Sequence, residues 1–134
     1  MRTPCEVVVK YMLPAFRSSV AKVLIKEYHL SQMAVAEHLG TTQAAISHYV
    51  SSKRGSKKMA QFENVPLMKD MTREVAKGIA SGKLSPADTV LYFCKICKAF
   101  RVHDIVCVLH KDLVVLPNEC DICPKLENLQ EARI

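Results

Sequence analysis

Residues 30–49 read Leu30-Ser31-Gln32-Met33-Ala34-Val35-Ala36-Glu37-His38-Leu39-Gly40-Thr41-Thr42-Gln43-Ala44-Ala45-Ile46-Ser47-His48-Tyr49, a pattern that predicts two short helices joined by a tight corner. Ser31 and Thr42 are good N-cap residues for the two helices. Gly40 tolerates the left-handed backbone on which many helices end. Ala36 is small where two helices must cross closely, and Val35, Leu39 and Ile46 supply the little core between them. Gln43, Ala44, Ser47 and His48 are then left on the outer face of the second helix, the face with which such a helix reads a major groove. Gln43 is the leading candidate for direct readout, because a side-chain amide pairs bidentately with adenine. Capped helix N-termini offer free N–H groups and a favourable dipole to phosphate. The competing interpretation is an ordinary helical hairpin; the turn spacing, the short polar outer face and the basic flank separate the two.

Working outward, Thr3-Pro4-Cys5-Glu6 has the form of a helix start, with Thr3 as cap, Pro4 in the first position and Glu6 completing a capping box. The β-branched Val7-Val8-Val9 run leaves a short strand open there. Pro14 opens the next segment, whose Phe16, Val20, Val23 and Leu24 recur at helical spacing up to Tyr28. Residues 51–58 (Ser51-Ser52-Lys53-Arg54-Gly55-Ser56-Lys57-Lys58) are polar and basic and read as a loop or domain edge. Met68, Met71, Val75 and Ile79 form a helical stripe that could be core or a dimer face. Ser85-Pro86-Ala87-Asp88 caps a helix running to about Arg101. Residues 105–109 and 113–116 are short β-branched runs around a His-Lys-Asp turn, which predicts a small hairpin. The expected fold is mostly α: an N-terminal helix-turn-helix bundle over residues 1–58, and a small α+β cysteine-rich metal-binding region over residues 59–134 that also supports dimerisation.

The stretch Leu39-Gly40-Thr41-Thr42-Gln43-Ala44-Ala45-Ile46-Ser47-His48-Tyr49-Val50-Ser51-Ser52-Lys53-Arg54-Gly55, with the Ser31-Gln32 pair and Ala36, resembles the helix-turn-helix of the lambda-repressor/Cro-like transcription regulators. Together with the Pro14–Arg17 entry it is similar, more narrowly, to a group of small, mostly archaeal regulators that carry cysteine pairs near the C-terminus. The resemblance implies that Gln32 and Thr42 touch phosphate, that Gln43, Ala44, Ser47 and His48 lie toward bases, and that Lys53 and Arg54 meet the flanking backbone. Thr41 stands where the family usually has an apolar residue. Double-stranded DNA is the implied partner. A homodimer is expected as well, because one such unit contacts too few base pairs for tight specificity and two recognition helices can sit one DNA turn apart, roughly 34 Å.

The charge is uneven. Residues 1–58 hold nine Lys/Arg against three acids, and residues 59–134 hold ten of each sign, so the whole +6 sits in the first half. Such a half faces a polyanion or simply solubilises the protein. No apolar run approaches the ~20 residues of a membrane span. The first residues carry no signal-peptide pattern, and the expected location is cytoplasmic.

Six cysteines in a reducing compartment point first to metal or redox chemistry. Cys94-x-x-Cys97 and Cys120-x-x-Cys123 are two pairs, each able to place two thiolates on one ion. Zinc held by these four is one expectation. An iron–sulfur cluster is the other, and would make the protein a redox or iron sensor. Cys107 and His110 are additional candidate ligands, while Cys5 stands alone in the sequence. Two further classes stay open: a thiol-disulfide oxidoreductase using Cys94 and Cys97, which needs a low-pKa thiol near a helix start, and an adaptor that binds protein or RNA.

Overall fold

In the structure, a computed structural model that describes residues 3–51, 57–116 and 118–128, the chain starts with a helical run whose flaw explains Pro14. Helix α1 (Pro4–Val7) passes into one wide π turn (Val8–Met12) and then into α2 (Leu13–Lys26). Thr3 N–H donates to Glu6 Oε1 at 3.3 Å, and Pro4 sits in the first turn, where no N–H is needed. Pro14 has no N–H, and in an unbroken α-helix its ring would press on the carbonyl four residues back. The π turn just ahead widens the backbone, with Leu13 N–H reaching the Val8 carbonyl five residues back. The run 7–9 is therefore helical, and the two helices expected on either side of Met12 are one continuous element.

Helix α2 is the axis of the molecule. Ala15, Phe16, Val20, Ala21 and Leu24 are buried along it at helical spacing. It packs against α3 (Gln32–Leu39), α4 (Gln43–Ser51), α5 (Lys57–Glu63) and, most extensively, α6 (Pro66–Ala80). Buried Met68, Thr72, Val75, Ala76 and Ile79 form the inner face of α6. The stripe considered as a dimer face is thus used inside the chain, with Met71 half-buried at its margin. Burial of an apolar side chain contributes roughly 1.5–3 kcal/mol, so this contact outweighs any single cap or surface pair.

Helix α7 (Pro86–Val102) starts as its sequence predicts: Ser85 Oγ accepts from Asp88 N–H at 3.2 Å, and Asp88 Oδ2 accepts from Ser85 N–H at 2.8 Å. Tyr92 joins it to α6 by donating its hydroxyl to Glu74 at 2.9 Å. Phe100 stacks on Phe62 of α5 with ring centroids 5.9 Å apart. The sequence had left α5 in or beside a polar loop; one buried aromatic on a seven-residue helix is too short a pattern to show as a period.

The α+β expectation for the second half is overturned. No strand occurs among the described residues, and the expected hairpin is helix α8 (Ile105–Leu113), followed by α9 (Ile122–Asn128). Val106, Leu109 and His110 are buried at i, i+3 and i+4, which is helical spacing, whereas a half-buried strand would alternate. β-propensity lost because the buried side of this segment meets α1 and α7 and no strand is there to pair with it. Buried side chains of α1 to α4 and of α5 to α8 belong to one apolar cluster.

Ile46→Ala tests the link between this core and α4. Ile46 is fully buried. The substitution should lower the unfolding free energy in urea by about 2–5 kcal/mol. A loss below about 1 kcal/mol, typical of exposed positions, would contradict its burial.

Candidate nucleic-acid interface and the cysteine cluster

Both caps of the helix pair form. Ser31 Oγ accepts from Ala34 N–H at 3.1 Å, and Thr42 Oγ1 accepts from Ala45 N–H at 3.1 Å. Gly40 ends α3 in the left-handed region at φ +62°, and Thr41 N–H closes the corner on the Ala36 carbonyl at 3.0 Å. Val35, Ala36, Leu39 and Ile46 are buried beneath it. Packing these four inward turns the opposite side of α4 outward: Thr42, Gln43, Ala44, Ser47 and His48 are all exposed, while Gln32 at the start of α3 is half-buried. Ser51 Oγ donates to the Ser47 carbonyl at 2.8 Å, which satisfies one of the last carbonyls of α4.

Lys53 and Arg54 lie outside the described residues. Of the basic strip that continues from them, Lys57 is exposed, and the Lys58 ammonium lies 5.2 Å from the centre of the Tyr11 ring. Lys10 lies 5.4 Å from the same ring. Desolvation opposes ionisation of the Tyr11 hydroxyl, but Lys10 and then Lys58 outweigh it and hold its pKa below the usual phenol value.

The six cysteines come from α1, α7, α8, α9 and the segment before α9. Cys5 and Cys94 are exposed, Cys97, Cys107 and Cys120 half-buried, and Cys123 buried. Cys94 therefore does not serve as a small apolar core residue. Burial pushes the Cys123 thiol up to about 11, and its proximity to Cys107 adds to the shift. The Cys123 thiol hydrogen-bonds to the Cys107 sulfur, which eases the rise that burial imposes on Cys107. Burial also raises Cys97, against the pull of Arg101. That is the reverse of what an attacking thiol needs.

Among the described residues no three Cys, His, Asp or Glu side chains stand close enough together to hold one ion. The structure thus places Cys94, Cys97, Cys120 and Cys123 on neighbouring elements without gathering them into one ligand set. His110 is buried in α8 one turn after Cys107. Two residues of this region were not legible as partners in the sequence. Arg101 Nη2 donates to Cys5 Sγ at 3.0 Å, across 96 positions of chain. No local motif signals a contact of that kind.

No family model, curated protein or solved structure matches the chain. No helix among the described residues is long and apolar enough to cross a membrane.

Thr42→Ala isolates the corner. It removes the Oγ1 acceptor of α4 and should cost about 1 kcal/mol of stability in urea unfolding. Retention of full stability would mean that Thr42 does not cap α4 in solution.

Proposed function

We propose that this chain is a cytoplasmic regulator of transcription that binds double-stranded DNA as a homodimer through α4 and carries a cysteine-ligated metal centre. The observation that carries the reading is the exposed row Thr42, Gln43, Ala44, Ser47 and His48 on a capped helix held at a left-handed Gly40 corner. Short polar side chains there let the helix approach base edges closely, and Gln43 can pair with adenine by accepting from N6–H through Oε1 and donating to N7 through Nε2. The capped N-terminus of α4 suits a phosphate, and the excess of basic residues over positions 1–58 adds sequence-independent attraction to the backbone. In this reading Gln32 and Thr42 contact phosphate, and Lys53 and Arg54 meet the flanking strand.

The metal is zinc or an iron–sulfur cluster, with Cys94, Cys97, Cys120 and Cys123 as its spacing-derived donors and Cys107 and His110 in reserve. The donor chemistry suits a soft metal, and an ion would tie α7 to the segment around α9. Loading would draw these thiols together from their present separation. Anaerobic purification followed by metal analysis and an absorption spectrum decides between the two: a brown protein absorbing near 400 nm speaks for iron, a colourless one with zinc for the other.

Binding of the full chain to duplex DNA and to single-stranded RNA, measured across a salt series, tests the main claim. Duplex affinity should fall steeply with salt while RNA stays weaker at each concentration. On the preferred duplex, Gln43→Ala should cost about 1–3 kcal/mol and relax one position of the site. Lys53→Ala should weaken all duplexes alike and lower the salt slope by about one unit. Equal, sequence-independent losses from both substitutions would remove the readout assigned to Gln43.

A further inference from the structure

A cavity of about 660 Å³ opens beside α7, within the roughly 300–1,000 Å³ of small-molecule sites. The outward side of α7 supplies most of its wall. Leu91, Lys95 and Lys98 follow one another there at helical spacing, and Cys94, Cys97 and Arg101 form the neighbouring row. Leu84, just before the helix, and Cys123 of α9 also line it. Leu84 is seated on α6 because Gly78 leaves room for it; a Cβ at Gly78 would collide with the Leu84 side chain. Phe93, in the same wall, packs on Phe16 of α2 with ring centroids 5.5 Å apart, so the wall is anchored in the core.

The lining has two chemistries. Leu84, Leu91, Tyr92 and Phe93 offer apolar and aromatic carbon, and the thiols beside them are soft and weakly polar. Leu91 is 61% exposed and its neighbour Val90 60%, so this side of α7 leaves apolar surface in water that the core does not take up. Against that carbon stand three cations, Lys95, Lys98 and Arg101, and a single carboxylate, Asp88. Asp88 is already engaged at the start of α7, where its Oδ2 accepts from Ser85 N–H and from Ser85 Oγ, each at 2.8 Å. Arg101 gives Nη2 to the Cys5 sulfur, while its Nε is buried without a hydrogen-bond partner. Such a wall is net positive beside exposed carbon. Inorganic phosphate would use only the cations, and a neutral apolar molecule only the carbon.

We propose that this cavity binds a small amphipathic anion, an alkyl or aromatic body with a carboxylate or phosphate head. Lys95, Lys98 and Arg101 receive the head, and a guanidinium suits either oxyanion through paired N–H groups. Leu84, Leu91 and Phe93 cover the body. The proposal presupposes neither DNA binding nor a metal centre.

Two fluorescent probes with the same ring system test it on the full chain. One is 1-anilinonaphthalene-8-sulfonate, and the other is N-phenyl-1-naphthylamine, which lacks the sulfonate. The anion should bind at one site per chain, at least about tenfold more tightly than the neutral probe. Lys98→Gln and Arg101→Gln should each weaken the anion about 3–10-fold and leave the neutral probe unchanged, a split that a general loss of folding would not produce. Leu91→Glu, at an exposed position, should weaken both probes. Lys26→Gln, on α2 and outside the cavity, should change neither. Decanoate and decyl phosphate should displace the anion, and the one that does so at the lower concentration identifies the head. Equal affinity for the two probes, or full anion affinity in both the Lys98 and the Arg101 variant, overturns the proposal. Displacement by inorganic phosphate at the concentration at which decanoate acts overturns it too, because the apolar wall would then take no part.

Discussion

Packing of α2 against α6, α3, α4 and α5 fixes where those four helices can be. Phe16, Val20 and Leu24 are fully or almost fully buried, so α2 cannot rotate without exposing them to water. With that axis fixed, Ile46 has one place to go, and its burial decides which side of α4 faces outward. The left-handed turn at Gly40 then sets the angle between α3 and α4. The exposed row on α4 is thus a by-product of core packing: its residues are outside because Val35, Ala36, Leu39 and Ile46 are inside.

The same logic explains what could be foreseen from residues alone. Helices α3 and α4 and the corner between them were legible because every signal there is local: two caps, one glycine and a three-to-four residue spacing. The start of α7 was legible for the same reason, through Ser85 and Asp88. Segment 105–113 was not, because β-branched residues favour strands only when a neighbouring strand exists, and here the available partners are helices. The merger of the first two helices at Met12 was hidden too. Pro14 normally marks a start or a break, and the π turn that lets it sit inside a helical run has no sequence signature of its own. Of the proposed site, the α4 face followed from periodicity, whereas the approach of Cys5 to Arg101 depends on how α1, α7 and α8 meet in space.

The cysteine-rich end adds an electrostatic constraint to a packing one. The thiols of Cys97 and Cys123, which burial pushes up, are quiet nucleophiles, the reverse of what exchange chemistry needs. Arg101 among them donates through Nη2 to Cys5, while its Nε is buried without a hydrogen-bond partner. That arginine hydrogen-bonds Cys5 of α1, and the helical run that starts with α1 continues as α2, which packs against α4.

The central claim is that the outward face of α4 is where duplex DNA binds. Hydrogen exchange of the full chain, free and bound to a duplex selected from a random pool, tests it most directly. The expected result is new protection concentrated over residues 41–48. Protection confined to α7, α8 and α9, with the amides of α4 exchanging as in the free protein, would contradict it.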